Sequence, residues 1–288
     1  MSGWAAGRIR VALLAALLSA HPLISLSAQT VLLRLAPPQG QVTRYQADLD
    51  AWLITPLLPA SDTAQPTVHV TSFLTRIVTS RDSQRLEFTE HTDSSRLDFP
   101  AMRSFMAQGG QGDVLRGMRT VTRMDSRGRQ VATMVVEAPN LPAGMPTLIR
   151  GVHGLVIAVA RLATVGLPEH PVSPGDTWTD SLSFDMGNTP GMDMMSVQGA
   201  GSGLATIRFE RIEQRHGARI AVLTAVANAT AGAGDVNASA TLSVSATSTL
   251  DLDLDSGRFV RGETRLSGPM VTRLGVIPVR LIMVIRAL

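Results

Sequence analysis

The chain is 288 residues long, with 44% hydrophobic and 17% charged residues, no cysteine and a formal charge of +3. That is enough sequence for one large domain or two small ones with their own cores, and the lack of cysteine excludes a disulfide framework and a thiol nucleophile. Every basic residue is an arginine and none forms a run, so the concentrated basic face that nucleic-acid binding needs is not there.

Arg8 and Arg10 precede an apolar run at 11–18, and small residues follow at 25–28. This order predicts a secretory signal peptide, residues 1–28, cleaved after Ala28 or after Ser27. The run is shorter than the roughly 20 residues of a membrane-spanning helix. Removal of the two arginines leaves 24 against 23 acidic residues, a net charge of +1. The mature chain is expected to be exported, to the periplasm or beyond.

Val31–Leu35 reads as a short strand or an arm, and Pro37-Pro38-Gln39-Gly40 breaks the chain. From Thr43 the residues alternate: Tyr45, Ala47, Leu49, Ala51 and Leu53 against Gln46, Asp48, Asp50 and Trp52. Period two marks a half-buried strand. Thr67–Ser80 reads as a second strand, with Val68, Val70, Leu74 and Val78 on one side. Arg81-Asp82-Ser83 turns it into a partner from Arg85. Phe99–Gly117 suggests a short helix and a loop at Gln108–Gly112. Arg119–Asp125 and Gln130–Glu137 form a hairpin around Ser126-Arg127-Gly128.

From Leu141 the period changes. Met145, Leu148, Ile149, Val152, Leu155, Val156 and Val159 recur at helical spacing, predicting a helix around 145–165 that Gly166 and Pro168 end. Thr177–Met186 is a strand, followed by a Gly/Met-rich loop at 187–203. Leu204–Glu213 and Ala218–Ala227 form a hairpin. Ala238 to Asp255 alternates for eighteen residues, far longer than the usual strand of about five or six. Arg258–Ser267 pairs back, and Val271–Leu288 closes the chain. Its end, VRLIMVIRAL, is apolar on both faces and fits an interior strand.

The halves share an order of events. Pro38-Gln39-Gly40 and Pro174-Gly175 each open an alternating strand, a hairpin follows each, and each half reaches a similar turn, MDSRGRQV at 124–131 and LDSGRFV at 254–260. The fold class read from this is mainly β (α+β): two duplicated antiparallel β-meanders forming long curved sheets, at 29–140 and 167–288, with a bridging helix in 141–166.

Leu167-Pro168, Val172, Gly175-Asp176, Trp178 and the later Asp255-Ser256-Gly257 turn follow a pattern of L-P, V-x-x-G-D-x-W and D-x-x-G. In these residues the chain resembles an uncharacterised family of secreted bacterial β-rich proteins, a resemblance that implies export and a β-rich build and carries no activity. The long curved sheets also resemble periplasmic lipoprotein-carrier folds, on architecture alone.

Several chemistries are tested by spacing. Asp251, Asp253, Asp255 and Gly257 start like a calcium loop, but Ser256 and Gly262 stand where that loop needs its Gly and its Glu. Met186, Met192, Met194 and Met195 cluster; they could hold Cu(I) or offer an adaptable apolar surface. The histidines at 69, 91, 153, 170 and 216 show no metal-ligand spacing, and no G-x-S-x-G or phosphate loop is present. A membrane β-barrel would carry aromatic girdles, and this chain is 4% aromatic with a single tyrosine. No metal or cofactor is expected. The reading is a secreted or periplasmic protein, leaning away from enzyme, that binds a lipid or other hydrophobic small molecule in an apolar groove, with Trp178, Met194 and Met195 at its rim. The alternatives are a structural or envelope-associated protein with an envelope partner and no ligand, and a hydrolase whose site is assembled between the halves.

Overall fold

The computed structural model describes residues 30–53, 65–100, 113, 115–137, 165–185, 200–232, 240–272 and 275–288. The expected bridging helix, the Gln108–Gly112 loop and most of the 187–203 loop, with Met194 and Met195, lie outside these residues. Eleven strands form one antiparallel sheet: β1 Val42–Leu53, β2 Val68–Arg81, β3 Arg85–Asp98, β4 Arg119–Asp125, β5 Gln130–Glu137, β6 Thr177–Asp185, β7 Ala200–Arg215, β8 Ala218–Ala231, β9 Ala240–Asp253, β10 Arg258–Thr272 and β11 Gly275–Ala287. The β4–β5 hairpin has the expected bounds. The long strand β9 is Ala240–Asp253, fourteen residues: Leu254 and Asp255 belong to the turn, and residues 238 and 239 lie outside the described ones. What reads as one closing segment from Val271 is the end of β10 and the whole of β11.

The sheet order is β5-β4-β3-β2-β1-β11-β10-β9-β8-β7-β6. The chain starts in the middle, runs to one edge, crosses to the other edge and returns to the middle. β11, apolar on both faces, sits between β1 and β10, as expected of an interior strand.

Flat, eleven strands about 4.8 Å apart would hold the edges nearly 50 Å from each other. Yet Arg129, entering edge strand β5, pairs with Asp180 of the opposite edge strand β6. The sheet therefore curls until its edges meet at one end. Register shifts help: one residue bulges out between Val78 and Ser80, between Gln130 and Ala132, between Phe209 and Arg211, and between Phe259 and Arg261, and each bulge adds bend and twist. Inward positions are apolar: Leu49 and Ala51 on β1, Val68 and Val70 on β2, Leu223 and Ala225 on β8, Leu250 and Leu252 on β9. The outward face carries ion pairs such as Arg208–Glu210, Arg211–Glu213 and Arg265–Glu263. The same face also exposes apolar side chains such as Leu204, Val226 and Val271, so it is mixed, where the outer band of a membrane barrel is apolar.

The two meanders repeat in detail. Gly40 N donates to Val78 O and Val78 N donates to Gln41 O; Gly175 N donates to Phe209 O and Phe209 N donates to Asp176 O. Both glycines have positive φ, +80° and +99°. The residues after these partners, Thr79 and Glu210, are the bulges of β2 and β7. Val131 and Val260, each three residues after the glycine of the later turn, bulge from β5 and β10. So β1 to β5 correspond to β6 to β10, and β11 is unmatched. One detail differs from the sequence reading, which equates Asp125 with Asp255. Asp125 Oδ1 caps its turn by accepting from Arg127 N and Arg129 N, and in the other half that work falls to Asp253, accepting from Asp255 N and Ser256 N. Asp255 turns instead to Arg219 on the neighbouring strand.

Candidate functional site

Two features of the interior are candidates: the end where the edges meet, and a cavity beside β2 and β3.

At the closed end, two extended arms cross. One is 30–36, leading into β1; the other is 165–173, leading into β6. Val31 N donates to Val172 O and Val172 N to Val31 O, both at 2.8 Å. Each arm also bonds the later turn of the other half: Ala36 N to Gly257 O, Leu167 N to Arg127 O. Arg34 ties the arms together through the carbonyls of Pro168 and Glu169. The buried side chains Leu33, Leu35, Val165, Leu167 and Val172 fill the space between them. A repeat laid along a curled sheet becomes a rotation about the axis of the curl, so equivalent arms meet on that axis.

The motif residues at 167–178 belong to this closure. Asp176 Oδ2 accepts from Ser173 N and shapes the turn into β6. The Trp178 indole N–H donates to Gly166 O at 2.7 Å. Asp180, buried, accepts from Gly166 N at 2.9 Å and pairs with Arg129. Trp178 is packed against the core and is not among the residues lining the cavity.

The cavity has a volume of about 180 Å³ and lies between the first meander and β11. Its apolar wall is made by Leu49, Val70, Leu74, Leu115, Met118, Met124, Met283 and Ile285, and its polar wall by Thr92, Thr120, Thr122, Gln130 and Thr133. Two charges stand on inward positions here. Arg76 of β2 and Glu90 of β3 are direct cross-strand partners. Nε and Nη2 of Arg76 both donate to Glu90 Oε1, at 2.9 and 2.8 Å. Each side chain is about one-fifth exposed, 22% and 21%. The guanidinium carbon lies 4.9 Å from the Tyr45 ring centre and 5.0 Å from that of Phe88, within cation–π range. Burial pulls the Arg76 pKa down, but the Glu90 carboxylate and Tyr45 more than offset it, so the guanidinium is held charged.

Sequence reading passes over both residues. Their signal is present: Val68, Val70, Ser72, Leu74, Arg76 and Val78 share a face of β2, and Leu86, Phe88, Glu90 and Thr92 share one of β3. Opposite charges stand on these two inward rows.

A third group lies on the outer face. His69 Nδ1 is 2.7 Å from Asp50 Oδ1, and His69 Nε2 is 3.2 Å from Thr71 Oγ1. Asp50 and His69 are register partners and Thr71 is two residues on, so strand pairing alone brings them together. The Thr71 hydroxyl donates to Asp48 at 2.9 Å. β1 and β2 are paired on both sides along this stretch, which leaves their N–H groups in the ladder and not free to form an oxyanion hole. The group lies within one half, not between the two. Among the described residues no cluster of three or more His, Asp or Glu could hold a metal, and no helix is long and apolar enough to cross a membrane.

No family model matches the chain, and no curated protein matches it. Among solved structures it is similar to a hypothetical lipoprotein, YmcC, from Escherichia coli (K12), at 12% identity over 85% of this chain and 87% of that one, with a TM-score of 0.29. An overlap of that quality transfers nothing from one chain to the other; the β-rich build rests on this chain's own strands.

Proposed function

We propose that the protein is an exported, non-enzymatic binder of a hydrophobic, lipid-like small molecule, held in the cavity of the first meander. The observation that carries this reading is the asymmetry of the interior. Among the described residues of the second meander, β8 points Ala221, Leu223, Ala225, Ala227 and Ala229 inward, all buried, and the hollow beside Gly203, Ala229 and Gly268 is a shallow one open to solvent. The first keeps an apolar-walled space of about 180 Å³. A lined space of about 150 Å³ is enough to take up benzene, whereas drug-sized ligands use roughly 300–1,000 Å³. The cavity therefore suits a head and a short length of chain. The export signal read from Arg8, Arg10 and the apolar run supports placing such binding in the envelope.

The test is native mass spectrometry of the protein purified from its own envelope fraction, followed by lipid extraction. A co-purifying mass that is lost on Leu74→Phe, which fills the cavity, supports the proposal. A wild-type protein that carries no adduct and binds no solvatochromic amphiphile refutes it, and leaves a structural role in the envelope, for which the buried inner face of β8 is the supporting observation.

A further inference from the structure

Nothing in this fold requires Arg76 and Glu90. The corresponding residues of the second meander are Ile207 on β7 and Ala225 on β8, which face each other in the same way. Both are buried, at 0% and 4% exposure. The same cross-strand site is thus built once as packed hydrocarbon and once as an ion pair, and the ion pair stands where the cavity is.

Glu90 takes Arg76 Nε and Nη2 on one oxygen, Oε1. A guanidinium has five N–H donors and a carboxylate has two acceptor oxygens. Among the described residues Glu90 Oε2 accepts no hydrogen bond. The pair therefore brings to the cavity an open acceptor and a donor already neutralised, with net charge zero. Resting on the reading of the cavity as a ligand site, we propose that it selects amphiphiles whose head is uncharged and both donates and accepts hydrogen bonds, such as a hydroxyl or a primary amide. Such a head donates to Glu90 Oε2 and accepts from Arg76, and its tail lies along Leu49, Leu74 and Met283. An ionised carboxylate or phosphate has to leave water, meets the Glu90 carboxylate at close range, and finds Arg76 already paired. An ammonium head meets Arg76 in the same way.

The experiment compares 1-octanol, octanamide and octanoate by titration calorimetry at pH 7.5, where octanoate is ionised. Wild-type protein is expected to bind the alcohol and the amide at least tenfold more tightly than the acid. Glu90→Gln leaves Arg76 charged beside a neutral partner, and octanoate should gain at least tenfold. Arg76→Ile with Glu90→Ala installs the residues of the second meander; it is expected to fold and to lose the preference among heads, since a buried pair can be exchanged for hydrocarbon at little cost. Equal or tighter binding of octanoate by wild type overturns the proposal, and so does an unchanged ratio in Glu90→Gln. If Glu90→Gln does not fold, the wild-type ratio and the double variant still decide. Binding of none of the three probes to wild type refutes the ligand site itself, which is a different outcome.

Discussion

Gly166→Ala tests whether the meeting of the sheet edges holds the fold together. A Cβ on Gly166 would lie 2.7 Å from Asp180 Cγ and 2.8 Å from Arg129 Nε, closer than real Cβ atoms come to any neighbour. The Asp180 side chain is 2% exposed and cannot swing into water without abandoning Gly166 N and Arg129. Breaking a buried ion pair costs about 3–5 kcal/mol. Arg129 is 39% exposed and regains water, which lowers the expected loss to about 2–4 kcal/mol. Gly40→Ala is the control. Gly40 has φ +80° with nothing within 4 Å of an added Cβ, so only the left-handed backbone is penalised, by about 1–2 kcal/mol. Urea unfolding gives both numbers from the midpoint and slope. Adding Gly166→Ala to Asp180→Ala should cost much less than adding it to wild type, because one clash partner is gone and Arg129, no longer held by Asp180, can move away. The reasoning fails if Gly166→Ala is milder than Gly40→Ala, or if its cost is the same with and without Asp180.

Leu223→Ala, in the second meander and fully buried, should cost about 3–5 kcal/mol, whereas Leu74→Ala, whose side chain already borders empty space, should cost about 1–2 kcal/mol; similar losses in urea unfolding would mean that the first meander is as tightly packed as the second. Trp178→Phe removes the indole donor to Gly166 O and should cost about 1 kcal/mol without changing amphiphile binding; a fall in binding measured by calorimetry would place Trp178 at the ligand. Stability should fall on the acid side. The Asp255 carboxyl lies below its usual 3.8 because the Arg219 backbone N–H and then its guanidinium bond the charged form; Asp48 is lowered as well, since hydrogen bonds from Thr71, Gln46 and Arg286 outweigh burial, which pushes the other way. A carboxyl lowered in the folded state contributes stability above its unfolded pKa, and this is lost as pH falls from about 4 through the folded value. Melting temperatures from pH 5 to 2.5 should therefore drop, and less steeply in Asp255→Asn; identical slopes would count against the Arg219 contact.

Much of the local structure is written in the sequence. Period two marks the strands because side chains alternate between faces. Asp-Ser-Arg-Gly and Asp-Ser-Gly mark turns because only certain residues tolerate them, and the two-faced apolarity of VRLIMVIRAL already describes a strand with neighbours on both sides. Even the ion pair of the cavity is half legible, since Arg76 and Glu90 interrupt apolar rows at matching distances from the turn at 82–84. What the alternation does not contain is who lies beside whom at long range. That β1 meets β11, that equivalent arms cross on an axis, and that Arg129 closes on Asp180 fifty-one residues away follow from the curl of the whole sheet. Curl accumulates from small twists and bulges over eleven strands, and a property summed over the whole chain has no signature in any one stretch of it.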